Sequence, residues 1–226
     1  MGHIFVDLNK PNSTATHTLR LWAALPPAIR WLMHDNTSNI EDIYNGKCIM
    51  LINSLASLAE GFLTDLLLSE LEKGIHPKKE KLISDLSTSG TWKPKKELFD
   101  QLFTKKLSDF KNTEAVETLI ALRNNIAHGR TFIEELTYYG ENNHSKEIPS
   151  RNYASHKEYL IKKGIITDSP GTISPTVFWG LAVIQFYHIH VKKFLFELIT
   201  DAGAADKDTL QNELLAAYKG DNYPWS

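Results

Sequence analysis

Through most of the chain, apolar residues return at three- and four-residue steps, and strand-like alternation is almost absent. Such spacing is the mark of amphipathic helices. The longest run covers residues 40–73. Cys48, Leu51, Leu55, Leu58, Phe62 and Leu66 form one row, and Ile52, Ala56, Ala59, Leu63 and Leu67 form an adjoining one. So wide an apolar face predicts burial on two sides, as in a helical bundle. Gly74 supplies a stop signal. The remaining stripe, Asn53, Ser57, Glu60 and Thr64, is small and polar with one charge. It suits either a close helical neighbour or a partly open face.

A second strong pattern spans residues 113–139. Ala115, Leu119, Leu122, Ile126, Gly129, Ile133 and Leu136 line one stripe, which predicts a single amphipathic helix. At about 100° per residue, Asn124 and His128 fall on the opposite side. Arg123 sits at the border of the stripe, where a long side chain can swing toward the polar face. Lying outside the stripe, it should be replaceable without harm to folding.

Weaker patterns fill in the rest. Residues 18–33 read as a helix split by Pro26-Pro27, and residues 4–8 as a short strand. Leu98, Phe99, Leu102 and Phe103 mark a short helix after the mixed stretch that begins at His76-Pro77. Another short helix, residues 155–163, ends at Gly164. Ser174-Pro175 is an N-cap followed by proline at the first helical position, opening a helix to about residue 200. Its row is Trp179, Ala182, Phe186, Ile189, Lys193 and Phe196. A last helix covers residues 206–219. The fold class is therefore all-α, a bundle of long helices with short ones attached. Residues 1–226 read as one domain, with a core at about 40–200, an N-terminal extension at 1–39 and a polar insertion at 138–173.

Composition narrows the function classes. With 226 residues, of which 42% are hydrophobic, the chain can bury a substantial core. A net charge of -2 argues against a protein coated in basic residues for long duplexes, though not against a local basic cleft. Five lysines between 93 and 106 are the most basic stretch: a solvated helical face or a rim that steers phosphates. The single cysteine, Cys48, excludes an internal disulfide and any CxxC site. Residues 1–20 carry no signal-peptide pattern, and His188, His190, Lys192 and Lys193 interrupt the apolar segment 177–199. These features predict a soluble cytoplasmic protein with no membrane span.

Glycine-rich phosphate loops, GxSxG and HExxH are all missing. His188 and His190, two apart on a helix, point to different sides, and the other histidines lack ligand spacing. No metal site and no cofactor are expected. What remains is Arg123-Asn124-Asn125-Ile126-Ala127-His128-Gly129. An arginine offers a planar cation matched to phosphate oxygens, and an imidazole can act as base or acid near neutrality. The bland alternative is that Arg123 pairs with Glu60 or Glu117 and His128 only packs between helices.

The arrangement Arg-x4-6-His with Asn beside the arginine resembles the signature of the HEPN superfamily (higher eukaryotes and prokaryotes nucleotide-binding). Ile126-Ala127-His128-Gly129 matches an ending common in its prokaryotic nuclease branch. Glu60-Gly61-Phe62, on the long early helix, is similar to that family's glutamate before an aromatic. Trp92-Lys93-Pro94 is similar to a loop preceding its motif helix. Arg130 stands where one toxin branch has the tyrosine of an HxY extension. The resemblance covers about residues 40–200. It implies a HEPN-like helical bundle and a metal-independent endoribonuclease of defence or stress response, leaving 2′,3′-cyclic phosphate ends. Arg123, His128 and Asn124 would be catalytic, with Glu60, Asn125 and Arg130 in support. The implied partners are RNA, a second copy of the chain across the motif helices, and an antitoxin or neighbouring-gene product. The alternative is a catalytically silent HEPN module that binds RNA, a nucleotide or a protein.

Overall fold

A computed structural model of the chain describes residues 21–34, 41–74, 77–88, 91–128, 135–137, 146–148, 151–167, 180–203 and 207–219. The expected strand at residues 4–8 lies outside them, as do Ser174-Pro175, Trp179 and Arg130. The fold is all-α. In chain order the helices are α1 (Leu25–His34, after a 3-10 turn at Leu21–Ala24), α2 (Glu41–Lys73), α3 (Lys79–Thr88) and α4 (Trp92–Leu102). Then follow α5 (Thr113–Ala127), α6 (Arg151–Lys162), α7 (Leu181–Asp201) and α8 (Lys207–Ala217).

The axis of the bundle is α2, which packs against α1, α3, α4, α5 and α7. Both of its predicted rows are buried, from Leu51 through Leu55, Leu58, Phe62 and Leu66 to Leu71, and Ile52 through Leu63 and Leu67. Each such side chain contributes about 1.5–3 kcal/mol by leaving water. Length and apolar content would let Gly46–Lys73 cross a membrane, but 61% of the relevant window is buried inside the fold. That follows from being the central helix of a bundle. The interruption of residues 177–199 by charged groups therefore leaves out the one described helix that passes this test.

Four elements differ from the sequence expectation. Pro26-Pro27 does not split a helix; the pair lies in the first turn of α1. Proline is tolerated there because the first amides have no helical acceptor to lose. The expected 113–139 helix stops at Ala127, with His128 as its C-cap. Glu135–Thr137 instead pairs antiparallel with Lys146–Ile148 in a two-stranded ribbon. Gly129 recurs at the right spacing to join the apolar row, yet glycine after a helix is a stop signal, and three-residue strands are too short to show alternation. Trp92-Lys93-Pro94 is the first turn of α4 rather than a loop. The buried side of α7 runs through Val183, Tyr187, Val191, Phe194 and Leu198, whereas Ala182 and Lys193 of the expected row are exposed.

The terminus of α6 is built as expected. Gly164 adopts φ +70, its amide donates to Ile161 O at 2.8 Å, and the Ile165 amide donates to Leu160 O at 2.9 Å. This double bond pattern needs a left-handed residue, which glycine adopts without a Cβ clash.

Candidate functional site

The motif helix α5 is fixed at its N-terminal end and along one side. Ala115, Val116, Leu119 and Leu122 are buried, and Ile126 packs against the same core. This stripe turns Asn124 and His128 outward, and both are exposed. His128 sits in the last turn, its amide donating to Asn124 O at 3.0 Å. Asn125 is buried and therefore does not share the open face.

At the N-terminal end, Asn112 ties α5 to α7. Its Nδ2 donates to Glu197 Oε1 at 2.7 Å, and its Oδ1 meets His190 Nδ1. Burial, with Lys193 and Lys163 nearby, holds the His190 imidazole below its ordinary pKa. A neutral imidazole carrying its proton on Nδ1 fits that contact, with the amide oxygen as acceptor.

Arg123 lies at the border, as its position in the helix requires. Its Nη2 donates to Glu60 Oε2 at 2.6 Å, with side-chain exposures of 20% and 9%. Of the two carboxylates weighed as partners, the structure pairs Arg123 with Glu60. Glu117 instead accepts from Lys96 Nζ at 2.6 Å and Trp92 Nε1 at 3.3 Å. The Arg123–Glu60 contact uses one donor and one acceptor. Glu60 Oε1 and Arg123 Nε are buried without a hydrogen bond among the described residues. Arg–carboxylate pairs are often bidentate, so this one leaves part of its fork unused.

Lys95 joins the pair, and the sequence reading missed it. It lies on α4, only 6% exposed. Burial lowers the affinity of its amine for a proton, Glu60 opposes that effect and Arg123 adds to it. One carboxylate thus faces two cations in a partly dry environment. The signal was present: Lys95 falls in the same helical row as Leu98, Phe99 and Leu102. It was masked by membership of a lysine-rich stretch.

That stretch does not act as one surface. Lys93 is open beside Glu97 at 3.9 Å, Lys95 is buried and Lys96 is paired with Glu117. Lys105 bonds Asp201 at 3.1 Å and lies 4.2 Å from the Phe110 ring centroid. Neither a single solvated face nor a single phosphate rim describes these residues.

Among the described residues, no three His, Cys, Asp or Glu side chains converge as a metal ligand set. What this site presents is an exposed imidazole and amide on one turn, beside a guanidinium anchored by a buried carboxylate and flanked by a buried ammonium. No protein-family model, no curated protein and no solved structure matches the chain.

Proposed function

We propose that the chain is a metal-independent endoribonuclease of HEPN type, acting in defence or stress response. The observation that carries the reading is the shared placement of Arg123, Asn124 and His128 at the C-terminal end of α5, with the imidazole open to solvent. RNA cleavage through the 2′-hydroxyl needs a base for that proton, an acid for the departing 5′-oxygen, and positive charge on the phosphorane. His128 serves proton transfer. Arg123 supplies the charge, with Glu60 holding one arm of its fork so that the other is presented to a phosphate oxygen. Asn124, one turn before His128, orients the phosphate or the ring. The products are a 2′,3′-cyclic phosphate and a 5′-hydroxyl.

The test is cleavage of single-stranded RNA by purified protein in EDTA, with the ends identified by phosphatase and kinase treatment. The expected outcome is chelator-resistant cleavage with cyclic phosphate ends, lost in both Arg123→Ala and His128→Ala. Activity that disappears on chelation, or survives in both variants, overturns the reading.

One observation favours a second reading, a silent HEPN module that binds RNA, a nucleotide or a protein. The guanidinium is already engaged by Glu60 at 2.6 Å. In that case Arg123 acts as a strut, and the protein binds RNA without cutting it. Glu60→Gln separates the two: a nuclease changes its cleavage rate, whereas a silent module remains inactive.

A further inference from the structure

Phosphate binding at the end of α5 needs a guanidinium whose charge is available, and Glu60 takes up part of it. The carboxylate is 7% exposed and accepts from Arg123 Nη2 at 2.6 Å. Within that pair the two unit charges cancel. A phosphate arriving at Arg123 therefore meets a neutral pair and comes up beside a buried carboxylate of its own sign. Burial removes much of the screening that salt would otherwise provide. Taken alone, the pair is a poor receptor for an anion.

Lys95 alters that balance. It lies on α4, which packs against α2, and is only 6% exposed. Burial holds its amine below the ordinary lysine pKa, with Glu60 raising it and Arg123 lowering it again. Two neighbouring lysines have carboxylates of their own: Lys96 Nζ is 2.6 Å from Glu117 Oε1, and Lys93 Nζ is 3.9 Å from Glu97 Oε1. The Arg123 contact is one-armed. Glu60 Oε1 and Arg123 Nε stay buried without a hydrogen bond among the described residues. The fork thus leaves one carboxylate oxygen of Glu60 unmatched, and Lys95 is a second cation near the same group.

We infer that Lys95 is a positioning residue for the Arg123 site: its buried cation offsets Glu60 from the α4 side, so that the guanidinium keeps a net attraction for a phosphate of an RNA backbone. Lys95 does not touch the RNA in this arrangement; it acts through Glu60. The inference rests on reading the end of α5 as an RNA site, and it holds whether or not the RNA is cut. Where RNA is cut, the single negative charge of the phosphodiester becomes two in the phosphorane, so the offset favours the transition state over the ground state.

The test is a charge balance. Full-chain wild type, Lys95→Met, Glu60→Gln and the double variant are titrated into a fluorescent single-stranded RNA that is 2′-O-methylated and cannot be cut, and anisotropy gives Kd. Methionine keeps an unbranched stem without the charge, and glutamine keeps an acceptor oxygen for Arg123. Lys95→Met should weaken binding about tenfold and Glu60→Gln should tighten it about as much, the scale of one partly buried charge. The double variant restores the wild-type balance, so its Kd should return to within about threefold of wild type. A packing role for Lys95 gives no such rescue, because a second buried substitution would add damage. Circular dichroism melting establishes folding, and the folded Glu60→Gln protein decides the matter if Lys95→Met does not fold. Lys95→Met binding like wild type overturns the inference, as does a double variant no tighter than Lys95→Met or Glu60→Gln no tighter than wild type. Wild-type binding weaker than about 100 µM overturns it equally. The nuclease reading has its own measurement, cleavage of unmodified RNA in EDTA that is lost in His128→Ala. Such cleavage beside affinities indifferent to Lys95 removes this inference alone; affinities ordered by charge without cleavage remove the nuclease reading alone.

Discussion

Glu60 of α2 meets two cations from two other helices, Arg123 of α5 and Lys95 of α4, and it is itself buried. Removing Arg123 leaves a carboxylate that is 7% exposed, with Lys95 as a remaining cation near it. Arg123→Ala should therefore lower stability by about 2 kcal/mol, below the full cost of an orphaned buried charge because Lys95 remains. Helical periodicity alone suggests no effect on folding, since Arg123 lies outside the apolar stripe. Periodicity reports which face is apolar; it carries no information about a partner 63 positions earlier. Lys95→Met alone should be close to neutral, because it removes the excess positive charge. Combined with Arg123→Ala, it should cost more than the sum by about 1 kcal/mol, since Glu60 then has neither cation. Urea denaturation of the four proteins gives the cycle, and additivity would mean that Lys95 and Arg123 do not share Glu60. For activity, Arg123→Lys should be nearly as damaging as Arg123→Ala. An ammonium keeps the charge and loses the fork that spans a carboxylate and a phosphate together. Single-turnover cleavage measures this, and a lysine variant retaining most of the rate would reduce Arg123 to a point charge.

At the scale of elements, the clearest signals in the sequence were those of long helices with a full apolar face. Glu41–Lys73 and Lys207–Ala217 lie within two residues of where their spacing puts them. Where spacing misled, a local rule outranked it: glycine after α5, proline inside the first turn of α1. The face holding Asn124 and His128 was legible because a helix position fixes a direction. The stitch between α5 and α7 was not, because Asn112, His190 and Glu197 are distant in the chain and each is ordinary alone. That stitch has a measurable pH signature. His190 is held below its ordinary pKa in the fold by burial, then by Lys193 and Lys163. Below about pH 6.5 the unfolded chain binds a proton there that the folded chain resists. Stability then rises with pH across that range and is lost as pH falls through the folded value. Thermal melts from pH 7.5 to 5.5 should show a decline that is smaller in His190→Gln. An equal decline in both would assign the acid sensitivity to other groups.

The whole molecule raises a question of stoichiometry. In-line cleavage places the base and the acid on opposite sides of one phosphorus, and a single imidazole cannot readily occupy both. Of the described histidines, His156 and His188 are buried, and His190 is half-buried against Asn112. His128 is the one described imidazole on the open face of α5. A second copy of the chain supplies another His128 if the two motif helices face each other across a twofold axis. Such a contact repeats one patch on each protomer, so the exposed Asn124–His128 edge of one helix suffices to build it. The cleft then holds two imidazoles and two guanidinium groups, each of the latter braced from behind by its own Glu60. Light scattering at micromolar concentration should report a dimer, and a monomer would count heavily against the arrangement. Mixing protomers tests the shared cleft directly. Arg123→Ala dimers retain both imidazoles and no arginine fork, while His128→Ala dimers retain both forks and no imidazole. A mixed dimer holds one imidazole and one fork in the same cleft, so its activity should depart from the average of the two parents. Activity equal to the average of the two parents would mean that each chain works alone, with its proton donor drawn from elsewhere in its own fold.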